Sequence, residues 1–206
     1  KTSVIYSHHK IMNYCLDVIG IGNAMVDAII PSNQKEVEKN NLNRNSMNLI
    51  DEELKNKFHS NYTIKEMVGG GSLGNSMFGI TSFGGNGSFI GKIKEDEVGI
   101  FLQKDMVREG LKFPLGFTSP NISTGCCTIF VEQDGSRTMC TFLGAGTLIS
   151  PEDIKEKDIK NHQIAYLEGY LWDNDKAKQA MKKMVDICKA DQQKVAFTLS
   201  DSFCVD

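Results

Sequence analysis

The order Gly70-Gly71-Ser72-Leu73-Gly74-Asn75, entered from the apolar-ended run Ile64 to Val68 and followed by the helix-like stretch Ser76 to Phe83, constrains this chain more than any other segment. It reads as a strand, a glycine turn and a helix start, a shape that brings bare N–H groups against a polyhydroxylated or phosphorylated ligand. A side chain at Gly70 or Gly71 would hold such a ligand off the backbone. Asn75, with two donors and an acceptor, suits paired hydroxyls better than a phosphate alone. Two other readings fit the same residues. Gly69, Gly71 and Gly74 satisfy G-x-G-x-x-G, with Glu95 or Asp96 about twenty residues further on, as a dinucleotide fold requires. That fingerprint belongs in the first strand-to-helix turn of its domain, whereas here a strand and a helical stretch precede it. The third reading is a turn that serves only helix and sheet packing.

The rest of the chain alternates between strand-like and helix-like segments. Leu16 to Ile21 is an apolar run suited to a parallel strand, Gly22-Asn23-Ala24 turns the chain, and Met25 to Ile30 continues it. A polar helix is expected from Gln34 to Asn40, and Asp51 stands as an N-cap ahead of a short helix reaching Phe58. Ser88 to Ile93 reads as a buried strand, and Glu97 to Glu109 as a helix with Val98, Phe101, Leu102 and Met106 on one face. Ile122 to Glu132 and Arg137 to Leu143 flank Asp134-Gly135, the signal of an antiparallel hairpin. Gln163 to Leu167, Asp175 to Lys189 and Lys194 to Leu199 then restore a strand, helix, strand rhythm. The sum predicts a doubly wound α/β domain interrupted by strands that cannot join its parallel sheet and that could cover the ligand crevice.

Charge and composition exclude several classes. A net charge of −3 with no basic run argues against nucleic-acid binding. No stretch is apolar enough to span a bilayer, so no membrane partner is expected. The cysteines, Cys15, Cys126, Cys127, Cys140, Cys188 and Cys204, form no C-x-x-C and sit mostly in apolar runs, which fits free thiols and a cytoplasmic location. His8, His9, His59 and His162 lack ligand-like spacing, so no metal site is expected. Residues 1–11 read as a disordered or non-native extension and residues 12–206 as one domain. Val195 to Leu199 reads as a core strand with no helix after it to cover it, so the sheet is expected to be incomplete.

Taken in order, Gly22-Asn23-Ala24-Met25-Val26-Asp27, Gly70 to Asn75, and Gly91 through Asp96 to Gly99 resemble the ribokinase-like (PfkB) family of sugar and nucleoside kinases. Thr124-Gly125-Cys126-Cys127 with Asp134 to Met139 resembles that family's lid hairpin, and Phe142-Leu143-Gly144-Ala145 its return. Tyr166 to Trp172 resembles the strand and turn that line the substrate site in the adenosine-kinase-like and sugar-kinase branches. The resemblance covers about Leu16 to Asp206, and a collinear set is far more specific than one glycine motif. It implies a ribokinase-like αβα core, here truncated to its N-terminal two-thirds, with a small antiparallel β lid drawn from about 25–50, 64–68 and 112–143. It implies that Asn23, Asp27, Gly70, Gly71, Ser72, Asn75 and Glu168 bind the substrate. Met47, Leu49, Cys127, Arg137, Met139, Leu143 and Tyr170 would line the lid side of the pocket, Arg137 being the residue able to reach an acidic group. Taken one at a time, core or lid packing is the simpler explanation of Met47, Leu49, Cys127, Met139, Leu143 and Tyr170, and an exposed hairpin side chain that of Arg137.

The same resemblance implies a phosphotransferase that uses ATP and Mg2+ on a primary hydroxyl of a sugar or nucleoside, and a homodimer formed through the lid. Its D-T-x-G-A-G-D segment, which carries the catalytic base and the anion hole, does not occur in these 206 residues. Leu143-Gly144-Ala145-Gly146-Thr147 imitates it, with Thr147 where the Asp belongs. Asn86 to Lys92 is no P-loop, because Asn86 replaces the first glycine and Ile93 the Ser or Thr. This chain alone is therefore expected to hold the acceptor pocket, to bind no nucleotide cofactor clearly and to be inactive. The alternatives are a naturally short sugar- or nucleoside-binding protein without catalysis and, third, a dinucleotide-binding domain.

Overall fold

The computed structural model describes residues 16–201 and Cys204, so the expected extension at 1–11 and Cys15 lie outside the described residues. Strand β1 (Leu16–Ile21) lies between β5 (Gly87–Ile90) and β10 (His162–Glu168), parallel to both, and β11 (Lys194–Thr198) adds to β10 in parallel. This is the four-stranded sheet β11-β10-β1-β5. A strand covered on both faces reads as an apolar run, and β1 is one apart from Asp17 and Gly20. Ile19 and Ile21 pack with Ala177, Ala180, Met181 and Met184 of α6 (Asp175–Ala190) on one face. Val18 packs with Leu73 and Met77 of α3 (Ser72–Ser82) and with Leu102 and Met106 of α4 (Glu97–Arg108) on the other. Gly20 lets α3 lie this close, since a Cβ there would stand 2.9 Å from Leu73 Cδ2.

Strands β2 (Met25–Pro31), β3 (Met47–Leu49), β4 (Glu66–Gly70), β8 (Gly125–Val131) and β9 (Arg137–Phe142) form a second, five-stranded sheet in the order β3-β9-β8-β2-β4. The hairpin β8–β9 is antiparallel around Asp134-Gly135, where Gly135 takes φ 85°. The sheet around it is mixed, with β2 parallel to β8, β3 parallel to β9 and β4 antiparallel to β2. Its inner face carries Ile30, Phe130 and Cys140, packed with Val37 of α1 (Gln34–Lys39) and Phe58 of α2 (Glu52–Asn61). Phe58 and Tyr62 both meet Phe130 edge-on, each at 5.2 Å between ring centroids. The register places Asp27, Cys127, Thr141 and Leu49 in one row of the opposite face, and Ile29, Ile129, Met139 and Met47 in the next. That face is only partly covered, and Leu49 is 62% exposed.

Two short strands, β6 (Ile93–Lys94) and β7 (Phe117–Ser119), pair beside the main sheet, and α5 (Glu156–Ile159) precedes β10. The run expected from Ser88 to Ile93 is thus divided at Gly91-Lys92. Strand β11 is exposed along most of its length, with Val195 at 41% and Phe197 at 45%. Among the described residues no helix is long and apolar enough to cross a membrane.

Candidate functional site

Three segments meet where β1, β4 and β10 end. The first is the turn Gly22-Asn23-Ala24, which delivers the chain to β2 and so to Asp27. The second is the junction of β4 and α3, where Gly71 is the N-cap with φ 81°, a left-handed conformation that favours glycine. The third is Glu168, the last residue of β10.

Asp27 lies against the glycine turn. A Cβ on Gly70 would stand 2.6 Å from Asp27 Oδ2, with Cγ and Oδ1 closer still, so the carboxylate occupies the space that a side chain would need. Burial pushes the Asp27 carboxyl above its usual range, while the Gly71 N–H and the charge of Arg137 act in the opposite direction. A half-buried carboxylate whose internal donor is the Gly71 N–H keeps acceptor capacity for incoming hydroxyls. Ser72 and Asn75 are exposed in the first turn of α3. Asn75 N donates to Gly71 O at 2.9 Å, which fixes the backbone beneath its amide.

Glu168 and Asn23 face inward. Glu168 is 1% and Asn23 3% exposed. Glu168 Oε2 accepts from Asn23 N at 2.8 Å and Nδ2 at 3.2 Å, and Oε1 accepts from Leu73 N at 2.9 Å. Burial raises the Glu168 carboxyl, and these donors offset part of that rise.

Among the residues expected to line the pocket, Met47, Leu49, Cys127, Met139 and Arg137 share the partly covered face with Asp27. Cys127 pairs directly with Asp27 in the parallel register. Its thiol, pushed up to about 11 chiefly by burial, accepts a hydrogen bond from Thr141 Oγ1 at 3.4 Å and stays protonated at neutral pH. Arg137 is exposed at the start of β9. Leu143 follows β9 and its carbonyl lies near Gly125. Tyr170 lies in the turn after Glu168, where its phenol is raised by burial and by the charges of Asp201, Cys204 and Glu168, with a hydrogen bond to Asp201.

Asp105 and Thr141 were not among the expected site residues. Asp105 Oδ2 accepts from Gly69 N at 2.9 Å in the interior, and its other oxygen takes Arg108. The available signal was a carboxylate on the apolar stripe of α4, between Phe101 and Leu102 on one side and Met106 on the other. A buried acid needs a partner, and a carboxylate set in an apolar helix stripe is the sequence mark of one.

Strand β4, which leads into the glycine turn, is antiparallel to β2 and outside the parallel sheet. Asp96 is consumed locally: Oδ1 accepts from Gly99 N and Thr124 Oγ1, both at 2.8 Å, and Oδ2 from Thr124 N at 2.9 Å. Neither feature suits a dinucleotide fingerprint. In the segment Gly144 to Thr147, Ala145 N donates to Ser123 O at 2.8 Å, and a Cβ on Gly146 would stand 2.6 Å from Asn23 Oδ1. The nearby Lys92 pairs with Asp153 at 2.9 Å. That segment is packed against the chain's own residues and does not fit a nucleotide phosphate.

The model of the pfkB family carbohydrate kinase matches residues 21–204. The chain belongs to the pfkB family. This pfkB chain is similar to adenosine kinase from Sinorhizobium meliloti, with 36% identity and a TM-score of 0.85 over 92% of this chain and 58% of that one. It is also similar to a probable sugar kinase from Rhizobium etli, with 34% identity and a TM-score of 0.86 over 94% of this chain and 58% of that one. A 5-dehydro-2-deoxygluconokinase from Halalkalibacterium halodurans is 27% identical over 142 residues, which is 63% of this chain and 40% of that protein. The pfkB chain therefore spans 40% of that curated relative and 58% of these two solved structures. The ribokinase-like α/β fold and the pfkB-family membership expected from the motifs agree with these findings.

Proposed function

We propose that this chain is the acceptor-binding and lid portion of an ATP-dependent kinase that phosphorylates a primary hydroxyl of a sugar or nucleoside. The observation that carries the reading is the Asp27 carboxylate seated against Gly70 at the end of β4, directly before the first turn of α3, where Ser72 and Asn75 are exposed. A carboxylate accepts from two vicinal hydroxyls, the amide donates and accepts, and the glycine backbone allows close approach. The partly covered face of the second sheet, with Met47, Leu49, Cys127 and Met139, would close over the acceptor as a lid and exclude water. Arg137 would meet an acidic group if the acceptor carries one.

ATP supplies the phosphoryl group in such a kinase, with Mg2+ shielding its charge. No residue among 1–206 is assigned to the base or to the anion hole, and catalysis is assigned to a D-T-x-G-A-G-D segment outside them. A homodimer through the edge strands β3 or β4 and a cytoplasmic location belong to the same proposal, the latter supported by the free cysteines. The test is phosphoryl transfer from ATP to a panel of nucleosides and sugars, run on residues 1–206 and on the longest form of the protein its source produces. Turnover by the longer form alone is expected. Turnover by residues 1–206 would show that the base has been misplaced.

A further inference from the structure

Glu168 is among the most deeply buried acids of the described chain, and both of its oxygens are engaged by the chain itself. It joins two segments far apart in sequence: the turn at Asn23 and the start of α3 at Leu73. Helix α3 has Gly71 as N-cap, with no side chain to satisfy the first N–H groups, and Glu168 supplies that acceptor from another strand. The space it fills is reserved for it, since a Cβ on Gly22 would stand 2.9 Å from Glu168 Oε2. Asn23 is held on its other side as well, its Oδ1 filling the space beside Gly146.

We propose that Glu168 is a positioning residue: its carboxylate ties the turn that leads to Asp27 to the helix start that carries Ser72 and Asn75, and so sets the spacing between the two hydroxyl-binding side chains. What the site binds rests on the proposed function, but the tie itself does not. A carboxylate with three internal donors has no need of a ligand hydroxyl, whereas Asp27 does. Among the described residues, Tyr170 and Cys204 feel the Glu168 charge; both are raised first by burial, so they remain neutral while the carboxylate changes charge.

The test is a pH titration of the 206-residue chain followed by backbone amide NMR, with adenosine and ribose as probes. The Asn23 and Leu73 amides are expected to move together with one midpoint, and to lose that movement in Glu168→Gln. Glu168→Gln is expected to weaken probe binding by about tenfold or more, the scale of one lost charge-assisted hydrogen bond. Probe added to the wild type is expected to leave the amide signature of Asn23 and Leu73 in place. Asn23 and Leu73 amides that do not titrate, or that lose the signature when probe binds, would overturn the proposal, as would a folded Glu168→Gln variant that binds as tightly as wild type. If the wild type shows the amide titration and binds neither probe, the tie stands and the acceptor reading of the site fails instead. Should Glu168→Gln not fold, the wild-type titration with and without probe decides.

Discussion

Asp27→Asn is expected to reduce acceptor binding by about a hundredfold while making the unliganded protein more stable at neutral pH. Hydrogen bonds to a charged group are worth roughly 1.5–3 kcal/mol each, and two hydroxyls lose the charged acceptor together. Stability runs the other way. The folded-state pKa of Asp27 is raised above its ordinary 3.8, mainly by burial, so its favourable contribution is present below that value and lost as pH rises through the folded pKa. At neutral pH the wild type therefore carries the cost of an ionised, half-buried carboxylate, and Asn removes it. Melting temperature measured from pH 4 to 8 should show the variant's advantage growing with pH. Titration calorimetry should show wild-type affinity falling as acid protonates Asp27, beginning above the pH at which an exposed Asp would respond. A variant that binds as well as wild type would remove Asp27 from the site.

Gly70→Ala is expected to damage both stability and binding, because its new Cβ enters the space of the Asp27 carboxylate. Overpacking of this kind costs roughly 1–3 kcal/mol, and relief here requires moving the carboxylate off the glycine turn. Melting temperature should fall, and the remaining folded protein should bind acceptor at least as poorly as Asp27→Asn. The two sites share one contact, so their effects should not add. Asp27→Ala placed on top of Gly70→Ala should recover most of the lost stability and none of the binding. Full additivity would mean that the clash is absorbed elsewhere.

Local pattern was enough where local chemistry decides the outcome. The apolar run of β1, interrupted only by Asp17 and Gly20, marks a strand buried on both faces, Asp134-Gly135 sets the β8–β9 turn, and the spacing along α4 gives its buried stripe. Local pattern fell short where a distant group decides. Helix α3 begins at Ser72, and the acceptor for its Leu73 N comes from Glu168, which no local propensity can report. The pairing of β2 with β8 brings Asp27 beside Cys127 across a hundred positions of sequence, and only the family resemblance suggested it. Asp105 was passed over because a carboxylate on a helix face is ordinarily solvated, whereas here it holds Gly69 from inside.

The most direct measurement is a map of backbone amide shifts in this chain as adenosine, and then ribose, is added. The account expects saturable shifts concentrated at Gly70, Gly71, Ser72 and Asn75 and on the Cys127 to Met139 face, with both sets lost in Asp27→Asn. Shifts centred elsewhere, or a folded chain that responds to no nucleoside or sugar, would contradict it.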